Sequence, residues 1–122
     1  MADPALSARI PNIYTMGLQT FDPPPACYDC IWIQWVVGHL TDEDFVTFLE
    51  RCKRGLKPGG VIVIKDNVAG DVPVYDDEDS SVTRTGKELH RIFKKADAKV
   101  RKIEVQKGFP TDLFKVNMYA LN

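Results

Sequence analysis

Two short apolar runs on either side of one amphipathic segment constrain the fold of this chain more than any other feature. The first, Asp29–Val37, is apolar and β-rich without strict alternation, which suits a strand buried on both faces. The second, Val61–Lys65, has the same character. Between them, Thr41 suits an N-cap, three acidic residues follow it, and Gly55 suits a helix exit. This order of strand, helix and strand predicts a parallel sheet with helices on its faces.

The remaining segments extend the same α/β pattern. Leu56–Gly60 predicts a turn between the first helix and the second strand, and Asp66–Ser81 predicts a long polar loop. The spacing of apolar residues predicts a further helix from Val82 to about Ala96. Alternation of apolar and polar residues in Val100–Gln106 and in Leu113–Leu121 predicts a terminal antiparallel pair of strands.

Composition excludes several classes of function. The 122 residues suit one domain, and 44% hydrophobic with 27% charged residues is ordinary for a folded protein. A formal net charge of -1 provides no basic field for nucleic acid phosphates. The longest apolar run, Ile31–Val37, is too short to span a bilayer. We therefore expect neither a nucleic acid nor a membrane as partner.

Two of the three cysteines have a spacing that is typical of metal sites. Cys27 and Cys30 form a C-x-x-C motif, but a structural zinc needs a second pair of ligands. Neither Cys52 nor the two histidines, His39 and His90, supply one at motif spacing. We interpret the pair as small buried thiols at the entrance of a strand, and we expect no metal site.

Taken singly, the candidate polar and aromatic residues have ordinary structural explanations. Trp32 and Trp35 favour core positions, and their opposite parity lets at most one of them face a crevice in a regular strand. His39 alone suits the entry to a helix, and Asp76–Asp79 alone suits a solvated loop. Gln34 is less ordinary, because a buried amide inside an apolar strand needs hydrogen-bond partners.

Four separated stretches, in their order and spacing, give a more specific result. They are Gly17–Gln19, Ile31–Asp42, Ile62–Asn67 and Asp76–Arg84. Together they resemble the α-N-terminal protein methyltransferases, class I enzymes that use S-adenosylmethionine and recognise proteins beginning X-Pro-Lys. Leu56–Ile64 resembles the turn and fifth strand of that fold. The resemblance covers nearly the whole chain.

This resemblance implies that residues 1–122 are the C-terminal part of a methyltransferase domain. The implied fold is a partial Rossmann-like sheet with helices on its faces and a C-terminal antiparallel pair. The Gly-rich loop and the acidic ribose-binding residue of the family should precede Gly17 and are absent. Together with the lack of an export signal, the resemblance implies a cytoplasmic or nuclear protein.

The resemblance also implies three groups of site residues. Those near S-adenosylmethionine are Leu18, Gln19 and Gln34. Those in the groove for the substrate N-terminus are Trp35, Asn67, Asp76, Asp79 and Ser81, with Phe114 where the family usually has a tyrosine. The pair that takes the proton from the α-amine is His39 and Asp79.

The predicted topology explains how these residues could meet. Ligands of open parallel sheets bind at the carboxyl ends of the strands, where Gln34, Trp35 and Asn67 lie. Carboxylates would orient a cationic N-terminus, yet they also raise the pKa of the amine and oppose its deprotonation. A neutral His39 or a water relay could resolve that conflict, and the Trp35 ring could hold the cation.

Three hypotheses about activity remain open at this point. The chain is an N-terminal methyltransferase, a peptide-binding module without the cofactor lobe, or an inactive truncated product. Without the family's first strand, Asp29–Val37 would become an open sheet edge, which predicts self-association. The missing loop likewise predicts weak binding of S-adenosylmethionine to this chain alone.

Overall fold

The computed structural model describes residues 4–108, 110 and 113–122. Its helices are α1 (Pro4–Arg9), α2 (Asp42–Gly55) and α3 (Gly86–Lys95), with a 3-10 helix at Val37–His39. Its strands are β1 (Tyr28–Gln34), β2 (Leu56–Val68), β3 (Val74–Asp76), β4 (Ser81–Thr83), β5 (Val100–Val105) and β6 (Lys115–Leu121). Within this part of the chain, no helix has the length and apolar character needed to cross a membrane.

Four strands form one mixed sheet in the order β1-β2-β6-β5. β1 and β2 are parallel, whereas β6 is antiparallel to both β2 and β5. This confirms the predicted parallel pair and the terminal antiparallel pair. β1 lies at one edge of the sheet that the described residues form.

The core lies on one face of this sheet, and both longer helices pack there. Phe93 of α3 contacts the Phe45 ring of α2 at 6.4 Å and the Tyr119 ring of β6 at 5.2 Å between centroids. Beneath these rings lie fully buried side chains of β2, among them Ile62 and Ile64. Complete burial of such side chains stabilises the fold by about 1.5–3 kcal/mol each.

The opposite face of the sheet is largely uncovered. Trp32 is 55% exposed, and Val63, its partner on β2, and Ala120, the partner of Val63 on β6, are half-buried. The prediction that β1 is buried on both faces is therefore wrong, because its apolar outward residues are not covered by another layer in the described part of the chain. The interpretation of Trp32 as a core residue is wrong for the same reason, and that of Trp35 is wrong because this residue is 48% exposed in the turn after β1.

Local capping fixes where the helices begin. The Thr41 hydroxyl accepts the N–H of Asp44 at 3.1 Å, as predicted for the start of α2. α3 begins at Gly86 and not at Val82, because Thr85 and Glu88 form a capping box there. The segment before that cap pairs as β4 with β3, a hairpin inside the predicted polar loop.

The strand boundaries depart from the prediction at two turns. β1 ends at Gln34, because Trp35 adopts a left-handed φ of 50° and the chain then enters the 3-10 helix. The predicted turn at Leu56–Gly60 lies within the span of β2. There the pairing moves from Tyr28 opposite Leu56 to Cys30 opposite Val61, so residues 57–60 form an excursion in the ladder.

Candidate functional site

A cavity of about 370 Å³ lies at the carboxyl ends of β1 and β2. Six of the residues predicted for the site line it: Trp35, His39, Asn67, Asp79, Ser81 and Phe114. Further lining residues are Gly38, Asp66, Val82, Thr83, Leu113 and Val116. A cavity of this size is in the usual range for small ligands and could accommodate one end of a peptide.

The turn after β1 brings Trp35 and His39 to this cavity. Trp35 holds its left-handed conformation while its N–H donates to the Lys65 carbonyl at 3.0 Å. Such a conformation is uncommon for a bulky residue and occurs often at functional sites. A Cβ on Gly38 would lie 2.7 Å from the Val82 carbonyl oxygen, so only glycine lets the 3-10 helix approach β4 this closely.

The β3–β4 hairpin positions the acidic residues. The Asp76 carboxylate accepts the N–H of Glu78 at 2.9 Å, and Ser80 has a left-handed φ of 56°. The Ser81 hydroxyl donates to Asp79 at 2.5 Å, which orients that carboxylate at the cavity. Asp76 is outside the cavity lining, because its carboxylate serves the turn.

The buried side chain of Arg84 ties these elements together. It donates to the Val37 carbonyl at 3.0 Å, to the Leu40 carbonyl at 2.6 Å and to the Asp42 carboxylate at 2.9 Å. Its guanidinium also lies 5.1 Å from the centre of the Phe45 ring. Arg84 therefore fixes the end of β4 against the 3-10 helix that carries His39. The sequence did not predict this role, because no feature of the sequence distinguishes a buried arginine from an exposed one.

One face of the Trp35 ring is already occupied by a cation. The Lys65 ammonium lies 5.2 Å from the ring centroid. A substrate cation that contacts this ring must therefore use the other face.

Asp66 lines the cavity, although sequence reasoning gave it no role. Burial raises the pKa of its carboxyl, and four groups partly oppose this shift. They are the N–H of Asn67, the charge of Arg84, the N–H of Val37 and the charge of His39. Its role could have been predicted from one sequence feature, namely an acidic residue at the end of an otherwise apolar strand.

The three residues predicted to contact the cofactor lie outside this cavity. Gln34 is exposed rather than buried, and its side-chain oxygen accepts the indole N–H of Trp32 at 2.9 Å. The carbonyls of Leu18 and Gln19 accept hydrogen bonds from Arg51 at 2.9 and 3.1 Å. The structure therefore does not bring these three residues together with the peptide-side residues in this cavity.

The cysteines differ in exposure from the prediction. Cys27 and Cys30 are exposed, so the interpretation as buried thiols is wrong for both. Cys52 is buried in α2, and burial raises its pKa to about 12. Among the residues described, no group of three or more histidine, cysteine or acidic side chains could hold a metal ion.

A comparison with protein families matches residues 2–122 to the AdoMet dependent proline di-methyltransferases. N-terminal Xaa-Pro-Lys N-methyltransferase 1-B of Xenopus laevis is 48% identical over 113 residues, 93% of this chain and 51% of that protein. Alpha N-terminal protein methyltransferase 1 of Caenorhabditis elegans is 51% identical over 114 residues, 93% of this chain and 49% of that protein. The chain thus spans about half the length of these curated relatives.

Solved structures of methyltransferases share the fold of this chain. A SAM-dependent methyltransferase of Leishmania major superposes with a TM-score of 0.83 at 43% identity, over 86% of this chain and 42% of that one. An N1-methyltransferase of Burkholderia thailandensis superposes with a TM-score of 0.76 over 99% of this chain and 57% of that one. The latter is only 13% identical, so it supports the fold alone.

Proposed function

This chain belongs to the family of AdoMet dependent proline di-methyltransferases, and on that premise we propose that it methylates the α-amino group of proteins beginning Xaa-Pro-Lys. S-adenosylmethionine is the methyl donor of this family. One observation carries the proposal: Trp35, His39, Asn67 and Asp79, which come from three separate segments, line one cavity.

The cavity has the groups that a peptide N-terminus requires. Asp79, held by the Ser81 hydroxyl, would accept hydrogen bonds from the α-ammonium group. The Asn67 amide would pair with the peptide backbone. Phe114 and Val116 provide an apolar wall for a proline ring, whose rigidity lowers the entropic cost of binding. Phe114 contributes this wall without the hydroxyl of a tyrosine.

The amine must lose its proton before its lone pair can accept a methyl group. A free α-amino group has a pKa near about 8, so part of it is neutral at cellular pH. The Asp79 carboxylate favours the charged form, whereas His39 at the same cavity could accept the proton. Binding by Asp79 and proton removal by His39 are then separate roles, and a general base contributes roughly 10²–10⁴-fold in rate.

A peptide-binding module is the second candidate function. It is favoured because the residues predicted to contact the peptide and those predicted to contact the cofactor lie in different places. Most of the peptide-side residues line the cavity, whereas Leu18, Gln19 and Gln34 do not. Under this second candidate, the chain alone binds S-adenosylmethionine weakly or not at all. Tight binding by calorimetry would contradict that expectation.

Methyl transfer to matched peptides tests the proposal. The chain is incubated with excess methyl-labelled S-adenosylmethionine and either an Xaa-Pro-Lys peptide or its N-acetylated form. We expect label only in the free peptide. Asp79→Asn and His39→Ala should each lower transfer by at least about tenfold. Asp77→Asn removes the same charge from the same loop outside the cavity, and should leave transfer unchanged.

The outcomes separate the two candidates. Transfer that survives both Asp79→Asn and His39→Ala would remove these residues from the mechanism. Binding of the free peptide without any transfer would support the module.

A further inference from the structure

Two buried acceptor oxygens near the cavity have no hydrogen-bond donor in the described part of the chain. They are Oδ2 of Asp66 and Oδ1 of Asn117. Buried polar atoms in folded proteins nearly always have a partner, and those that lack one often have a functional reason. The other carboxylate oxygen of Asp66 is bound, since Oδ1 accepts the N–H of Asn67 at 2.8 Å.

Asn117 does not satisfy Asp66. The two residues are directly opposite in the β2–β6 ladder, in register with the buried pair Ile64 and Tyr119. Side chains opposite each other in this way have Cβ atoms about 4.5–5.5 Å apart. However, the one hydrogen bond that the Asn117 amide donates goes to the Tyr119 hydroxyl at 3.0 Å, and its Oδ1 has no donor. The Asp66 carboxylate consequently keeps one oxygen free.

His39 is the donor best placed to use that oxygen. It lines the same cavity as Asp66, and its charge is one of those that lower the pKa of Asp66. The 3-10 helix that carries His39 also brings the N–H of Val37 near Asp66, but that N–H makes no hydrogen bond of normal geometry to Oδ2. The imidazole of His39 is exposed and makes no hydrogen bond in the part of the chain that the structure describes. His39 and Asp66 therefore line one cavity, the first with an unpartnered ring and the second with a buried oxygen that has no donor.

We propose that Asp66 is a positioning residue for His39, whose ring N–H it binds through its free carboxylate oxygen. The pairing requires a rotation of the exposed imidazole. It fixes which ring nitrogen carries the proton, and the other nitrogen is then free to accept a proton from the substrate amine. The catalytic part of this inference rests on the proposed function, whereas the pairing itself does not.

Asp66→Asn is a suitable variant because it should fold. The asparagine keeps an oxygen that can accept from Asn67, and it lies opposite Asn117, whose Oδ1 has no donor. In the transfer assay we expect kcat to fall by about tenfold or more, with the peptide KM within roughly twofold. If Asp66 had only a structural role, the variant would instead be less stable, and kcat would not fall selectively at an unchanged KM.

The tautomer of His39 tests the pairing without cofactor or peptide. Two-bond ¹H–¹⁵N spectra at a pH where the ring is neutral show which nitrogen carries the proton. We expect one tautomer in excess in the wild-type chain and loss of that excess in Asp66→Asn. The other histidine, His90 on α3, is an internal control and should not change.

A second measurement covers the case in which Asp66→Asn does not fold. His39→Ala changes an exposed residue and should raise the pKa of Asp66 further, because it removes a charge that opposes the effect of burial. Carboxyl ¹³C titration measures this, and His90→Ala is the control. An unchanged Asp66 titration in His39→Ala, or an unchanged His39 tautomer in folded Asp66→Asn, would overturn the pairing. If the Asp66 titration and the His39 tautomer both change as expected and no transfer occurs, the pairing stands and only the proposed function fails.

Discussion

His39, Asp66 and Asp79 reach the cavity from three different segments, and each is held in a different way. Asp79 is bound by the Ser81 hydroxyl, so it is ready to receive a cation. Asp66 is half-buried beside the charge of Arg84 and has one free oxygen. His39 is exposed on a short helix fixed by Arg84. At the residue scale, the proposed mechanism assigns binding to Asp79, positioning to Asp66 and proton transfer to His39.

The buried carboxyl of Asp66 gives a pH dependence of stability. Its folded-state pKa is raised, so ionisation costs stability as pH rises from the unfolded pKa, about 3.9, through the folded one. We therefore expect Asp66→Asn to gain stability relative to wild type between about pH 4 and pH 7. Urea unfolding at both pH values measures this, with exposed Asp77→Asn as the control. A variant that loses relative stability over this range would contradict the burial of an ionised Asp66.

The three thiols should differ in reactivity. Since burial raises the pKa of Cys52 to about 12, its thiolate is scarce at neutral pH and its sulfur is inaccessible. We expect a maleimide to label Cys27 and Cys30 in the folded chain and Cys52 only in denaturant. Mass spectrometry of the adducts gives the result, and Cys52→Ala identifies the slow site. Labelling of all three at equal rates would show that α2 is not packed as described.

At the element scale, the site depends on the close approach of the 3-10 helix to β4. Arg84 fixes that contact from one side through the carbonyls of Val37 and Leu40. Gly38 permits it from the other, since a Cβ there would meet the Val82 carbonyl at 2.7 Å. The hairpin with Asp79 and the helix with His39 are therefore held as one unit.

Gly38→Ala should separate these two elements. The added methyl group must displace backbone atoms, which costs roughly 1–3 kcal/mol of stability. Peptide binding should weaken as well, because His39 and Asp79 move apart. Gly70→Ala is the matched control, because a Cβ at Gly70 meets nothing within 4 Å. Thermal unfolding of both variants tests this, and equal stabilities would mean that the tight contact is absent.

The local sequence pattern predicted the order of the helices and strands. It did not predict the features that depend on tertiary contacts. The parallel β1–β2 pair and the β5–β6 pair follow from apolar runs and alternation, and both are observed. The β3–β4 hairpin was missed, since its three-residue strands have almost no pattern of their own. Gln34 was expected to be buried because its neighbours are apolar, yet only the sheet order shows that β1 is an uncovered edge.

The candidate site was predictable only through the resemblance. The six cavity residues that were predicted for the site were named through the quoted motifs or the position of the family tyrosine, whereas the residues taken singly gave Trp35, His39 and Asp79 ordinary explanations. Asp66 and Arg84 gained no predicted role although both lie in those motifs. Their importance comes from burial and from partners distant in sequence, which no local pattern shows.

At the scale of the whole molecule, the two sheet edges differ. β5 carries three charged side chains, Arg101, Lys102 and Glu104, which discourage pairing with another strand. β1 has one acidic residue, Asp29, and an exposed Trp32 beside an uncovered sheet face. The chain is therefore expected to self-associate through β1.

Trp32→Lys should weaken this association. A lysine on an edge strand opposes pairing, and the change also removes the largest exposed apolar side chain from that face. We expect sedimentation velocity to show a shift toward monomer. Ile103→Lys on β5 is the control and should sediment like the wild-type chain. The same monomer fraction in wild type and Trp32→Lys would exclude β1 as the contact.

The central claim is that the cavity at the ends of β1 and β2 receives the amino end of a peptide. Titration of the ¹⁵N-labelled chain with an Xaa-Pro-Lys peptide and with its N-acetylated form tests this most directly. We expect the free peptide to shift the resonances of Trp35, Asn67 and Ser81, and Asp79→Asn to weaken binding by about tenfold. The acetylated peptide should shift none of them. Equal shifts with both peptides, or shifts confined to the face around Trp32, would contradict the account.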